Sequence, residues 1–139
     1  MNREDIYQAL FDLVSAAPGL VTTSRKLLHW SDVPPSQRPA LFLTQKSETA
    51  INTTGLPTKW MLSAEIYVYG STKGAICSGE VLNPIVDAIT NALATTEIGP
   101  QTLGGLVHYA RIEGTIETDE GNLGDDAVAI IHVSILTAA

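Results

Sequence analysis

The chain has one cysteine, Cys77, and three histidines, His29, His108 and His132. A thiol beside an imidazole could make a nucleophile, provided an acid oriented the ring. Only two of the three histidines have a neighbouring acid in any obvious register. The residues favour a plainer reading, with Cys77 packed as a small apolar side chain at a helix start. His108 and His132 then pair across a terminal hairpin or cap the sheet. Gly104-Gly105 lacks the Lys-Ser/Thr of a phosphate-binding loop, so no nucleotide cradle is expected.

Asp119, Glu120, Asp125 and Asp126 crowd one turn-prone stretch. Several carboxylates in a turn suggest a hard cation, but the spacing is not that of an EF-hand and the stretch lies between two strand patterns. A hairpin tip kept in water by its charge is the simpler reading. The remaining one is that these acids meet a partner surface or line a channel, where like charge keeps DNA from sticking. Trp30 precedes Asp32, Val33, Pro34 and Pro35 in a proline-rich loop. It is either a lid over the core, the favoured reading, or an anchor for a neighbouring subunit. Neither a metal nor an organic cofactor is expected.

The acids outnumber the bases, and unevenly. Residues 1–70 hold six of each, whereas residues 71–139 hold two basic and nine acidic side chains, so the whole formal charge of −7 lies in the second half. A duplex-binding surface needs clustered Lys and Arg, and only Arg25-Lys26 comes close. Tight nucleic-acid binding is disfavoured. A single cysteine excludes an intrachain disulfide and a thiolate zinc site and points to a reducing compartment. No apolar run is long enough to span a bilayer as a helix, and the N-terminal pattern is not that of a secretory signal. At 139 residues and 45% apolar composition, one domain over residues 1–139 with a core that needs no staples is expected.

The elements that must position these groups follow from periodicity. Ile6, Leu10, Leu13, Val14 and Ala17 recur at helical spacing after an Asn2 cap and the acids Glu4 and Asp5, and Pro18-Gly19 ends the pattern. Residues 20–28 and 40–47 read as strands. Residues 59–69 alternate cleanly: Trp60, Leu62, Ala64, Ile66 and Val68 line the core face, with Glu65, Tyr67 and Tyr69 on the other, the tyrosines covered by a helix or by a partner. A second helical stripe runs from Val81 to Leu93. Pro84 lies within it, so the helix starts either at an Asn83 cap or near Ser78 with a disturbed first turn; the earlier start is favoured. Residues 107–118 alternate again and should pair as a hairpin with residues 127–136, which are apolar on both faces apart from His132 and Ser134. The fold class is α/β in the α+β sense, in the order α-β-β-β-α-β-β, with a mixed, mainly antiparallel sheet and two helices packed on it. Two helices cover a limited area of sheet, so another copy of the chain is expected to bury part of the rest.

Five segments, taken in order, resemble the tail terminator proteins of long-tailed bacteriophages and prophages. They are Arg3-Glu4-Asp5-Ile6-Tyr7-Gln8-Ala9-Leu10-Phe11, Leu28-His29-Trp30-Ser31-Asp32-Val33-Pro34-Pro35, Thr54-Gly55-Leu56-Pro57-Thr58-Lys59-Trp60, Val81-Leu82-Asn83-Pro84, and Ile112-Glu113-Gly114 through Asp119-Glu120-Gly121-Asn122-Leu123-Gly124-Asp125. The resemblance runs nearly end to end, and it rests on order and spacing because no segment is a chemical motif. It implies a non-enzymatic subunit of a homo-hexameric ring at the head-proximal end of the virion tail, assembled in the host cytoplasm. Such a ring caps the tail tube, ends its polymerisation and offers a docking surface to the head-tail connector or neck protein. DNA would pass through it without specific binding, and no membrane is involved. Trp30, Asp32, Val33, Pro34 and Pro35 are the candidate subunit, tube or neck interface. Asp119, Glu120, Asp125 and Asp126 are the candidate hairpin-tip contact or channel lining. The alternatives are a head-tail connector, a tail tube subunit or, from a different class, a small hydrolase using Cys77.

Overall fold

Helix α1 (Arg3–Ser15) starts where Asn2 stops being helical: the Asn2 side chain accepts the Asp5 backbone N–H at 3.2 Å, and Glu4 and Asp5 in the first turn suit the positive end of the helix dipole. Its stripe of Ile6, Tyr7, Leu10 and Val14 is buried. These are residues of a computed structural model, which describes residues 1–119 and 124–138. Helix α2 (Ser78–Ala92) begins at the earlier of the two starts, with Pro84 inside it and Leu82, Ile85 and Ile89 turned inward. Cys77 occupies its cap position without a capping bond. The Glu80 carboxylate instead reaches back to accept the Ile76 N–H at 2.7 Å. Against expectation, Cys77 is exposed.

The strands are β1 (Thr22–Ser24), β2 (Ala40–Ile51), β3 (Lys59–Ser71), β4 (Tyr109–Ile112), β5 (Glu117–Asp119) and β6 (Asp126–Ala138). They form one sheet in the order β1-β2-β3-β6-β4, with β5 also paired to β6. Among the described residues, β1–β2 is the parallel pair and the others are antiparallel. This is the α+β class read from the pattern. The strand expected over residues 20–28 shortens to three residues, because at Ser24 the chain turns: its hydroxyl accepts the Lys26 N–H at 3.0 Å. The strand expected over residues 107–118 breaks at Gly114, whose φ of +80° suits glycine. Its two halves, β4 and β5, lie one after the other along β6. Strand β2 runs past residue 47 because a register shift at Lys46 lets a largely polar tail keep pairing with β3, out to Ile51 opposite Lys59.

One face of the sheet carries Leu41, Leu43, Leu62, Ala64, Ile66, Val68, Ile131, Val133 and Ile135, all buried beneath the two helices. Trp60 joins this core only partly, since it lies near the start of β3. Gly70 lets α2 approach closely: a Cβ there would stand 2.9 Å from Val81 Cγ1 and 3.2 Å from Leu82 Cδ2. Gly70→Val is expected to cost about 1–3 kcal/mol through overpacking, read as a lower urea midpoint with unchanged slope. An unchanged midpoint would mean that α2 can move off the strand.

Candidate subunit interface

Among the described residues, neither α-helix covers the other face of the sheet. Ala40, Phe42, Tyr69 and Val128 form a second buried cluster there, and the chain covers it with the loop that precedes β2. Local chemistry shapes this loop. His29 Nδ1 accepts the Ser31 N–H at 3.2 Å and caps a short turn, Trp30–Asp32. A second turn, Pro35–Gln37, starts on a proline whose fixed φ suits it. The Tyr69 hydroxyl donates to the Leu28 carbonyl at 2.8 Å.

Arg38 ties the loop down. Its guanidinium donates to the Val33 carbonyl at 2.9 Å, the Gly70 carbonyl at 2.9 Å and the Trp30 carbonyl, and it meets the Asp126 carboxylate at 2.8 Å. The side chain is 2% exposed. Five donors in a fixed fork are what several acceptors around one buried point require.

Trp30, thus held, is half-buried between two grooves. One, of about 390 Å³, is lined mainly by apolar groups that include Leu27, Leu28, Tyr67 and Ile130. The other, of about 320 Å³, lies between Trp30 and the acids Glu117 and Asp119 of β5. Two candidate groups from distant parts of the sequence, Trp30 and Asp119, therefore share one groove.

The remaining candidates separate. Asp32, Pro34 and Pro35 are exposed beside Trp30. Val33 lies inside: at 2% exposure it belongs to the chain's own second cluster, where it holds the loop from beneath. The Asp126 carboxylate is engaged by Arg38. Asp125 is exposed on another side, beside Cys77 and Ser78. Glu120 lies outside the described residues. The acids are thus not one cluster, and among the described residues no three His, Cys, Asp or Glu side chains stand close enough to hold a metal.

Below the grooves, the open face carries a polar network that sequence reasoning missed. The Tyr67 hydroxyl donates to Glu65 Oε2 at 2.6 Å, and Lys46 Nζ stands 3.3 Å from the same oxygen. His132 Nδ1 is 3.2 Å from Glu65 Oε1, while its Nε2 is 3.9 Å from Glu117. His132 therefore partners Glu65, its direct neighbour across β3 and β6, rather than His108. Burial by itself would raise the Glu65 pKa; the Tyr67 hydrogen bond and the Lys46 ammonium outweigh it and hold the carboxyl below its usual range. Burial, then the Glu65 carboxylate, pushes the Tyr67 phenol up.

A lowered carboxylate pKa adds stability at neutral pH that is lost as pH falls through the folded-state value. Tyr67→Phe is expected to cost about 1–2 kcal/mol at pH 7. The difference from wild type should shrink at a pH low enough to protonate Glu65 in both proteins. Urea unfolding at the two pH values checks this, and a pH-independent difference would place the Tyr67 contribution in packing instead.

No family model and no curated protein matches the sequence. A chain in the solved structure titled "Virion of native gene transfer agent (GTA) particle" resembles this one with a TM-score of 0.50, over 96% of this chain and 92% of that one. The two share a fold. At 12% sequence identity, fold is all that this likeness shows.

Proposed function

We propose that the chain is a structural subunit of a phage-like virion and, within it, the subunit that caps the tail tube as a ring. The observation that carries this reading is the end-to-end likeness of fold to a chain of a gene transfer agent virion. The ordered sequence segments that resemble tail terminators give the finer role. The face around Trp30 supports it, because it is an apolar surface with an acidic border, suited to a neighbouring protein. In this reading the ring is a homo-hexamer at the head-proximal end of the tail, built in the host cytoplasm. Its partners are the tail tube protein on one side and the head-tail connector or neck protein on the other.

It acts by shape and charge, without catalysis or a cofactor. Six copies of a chain at −7 make a negative duct that lets DNA pass without gripping it. Mixing the purified protein with growing tail tubes, viewed by electron microscopy, tests the role. Capped ends and arrested growth are expected. Bare ends and continued growth would overturn capping, and long stacks of the protein alone would mark a tube subunit.

A further inference from the structure

The far end of the β2–β3 hairpin lies at one end of the sheet, where residues 45–51 form an edge strand along β3 and the turn of residues 52–58 extends past the paired strands. Residues 45–58 are exposed save for a partly covered Thr58, and this edge strand of roughly 20 Å, at 3.3 Å per residue, together with its turn is the arm. Its end displays Ile51 at 40% and Leu56 at 62% exposure, and Lys59 is the one charge in residues 49–59.

The Trp30 grooves lie at the other end of the same sheet. Register shows this: β3 opens at Lys59 beside the arm and closes at Tyr69 and Ser71 beneath the Trp30 loop. Of the two grooves, the one that Leu28 lines is mainly apolar, and the one across Trp30 is bordered by Asp119 and by Glu117, whose side chain is 64% exposed. The tip of the arm is apolar with a cation at its base; the face around Trp30 is apolar with anions on one side.

We infer that the tip of the β2–β3 arm of one copy, led by Leu56, seats in the Trp30 groove of the next, with Lys59 facing Glu117. Because the two surfaces differ and occupy opposite ends of the molecule, the contact is head-to-tail, and its repetition builds a ring when the rotation between neighbours closes. The inference goes beyond the capping role and stands without it: a ring that closes yet leaves tubes uncapped would defeat only that role.

Two exposed positions supply the test. Leu56→Asp disables the arm, and Leu28→Asp disables the groove while sparing the backbone carbonyl that Tyr69 uses. Native mass spectrometry and sedimentation velocity should find wild type in species larger than a dimer. Each variant alone should associate at least about tenfold more weakly. Mixed in equal amounts, the two should form a heterodimer and nothing larger, since one intact arm then meets one intact groove. Should either variant fail to match the wild-type circular dichroism, a charge exchange decides: Lys59→Glu weakens association, and adding Glu117→Lys restores it. A wild type that stays monomeric or stops at a dimer, variants that assemble normally, a mixture that forms no heterodimer, or a charge exchange without rescue would each overturn the contact.

Discussion

Arg38→Ala is expected to lower stability by about 3–5 kcal/mol, a large part of what a chain of this size has to lose. The substitution strands the Asp126 carboxylate and takes the donor from the Val33, Gly70 and Trp30 carbonyls at once. A polar group left unpaired after burial bears its full desolvation penalty. Arg38→Lys should recover little, because one ammonium cannot serve acceptors spread around a planar fork. The effect reaches the surface. With the Val33 and Trp30 carbonyls released, the Trp30 loop loses its tie to the sheet, and Trp30 emission, read in a Trp60→Phe background, should shift to the red. Urea unfolding gives the energy and fluorescence the loop. A stability loss below about 1 kcal/mol would show that Arg38 behaves as a surface ion pair and does not secure the loop.

The second large effect separates the two faces of the sheet by a pair of adjacent residues. Ile131 is fully buried on the helix side of β6, opposite Ile66, and Ile131→Ala should cost about 3–4 kcal/mol through lost contacts and a cavity. Ile130 points the other way, partly covered, as a wall of the Trp30 grooves. Its truncation should cost about 1 kcal/mol in the isolated chain, since much of its surface already meets water. Urea midpoints measured at low protein concentration give both values. Equal losses would mean that the face without helices is as closely packed as the face with them.

Both effects depend on contacts of very different legibility. The alternation of residues 59–69 is a short-range signal, and the structure honours it: Leu62, Ala64, Ile66 and Val68 face the helices while Glu65 and Tyr67 face away. The Asn2 cap and the helix start at Ser78 are equally local. The break at Gly114 has a weaker local sign, because a glycine inside an alternating run can equally mark a bulge, a bend or a strand end. The role of Arg38 had no local signal at all. Its acceptors come from residues 30, 33, 70 and 126, and nothing within a few positions of Arg38 foretells their meeting.

The candidate surface divides along the same line. Trp30 and the prolines after it were legible as a special loop because tryptophan beside a turn-rich segment is costly to leave exposed without purpose. Val33 could not be told from its neighbours, because loop residues lack the periodicity that assigns strand and helix residues to an inner or outer face. The acids were legible as charge but not as places: β6 begins with Asp126 at the Arg38 site, β5 carries Asp119 to Trp30, and Asp125 faces elsewhere.

By itself the sequence determined what short-range physics encodes: the two amphipathic helices, the strand periods, the α+β class and the surplus of apolar strand surface. Side-chain period and capping act over a few residues, so they survive in the linear order. Only the tertiary structure decided which surplus the chain covers for itself. Register brought Glu65 to His132 and Tyr69 to Val128, and the loop from β1 to β2 folded back over one end of the bare face. Those contacts join residues tens of positions apart, and their energy exists only after the sheet has assembled.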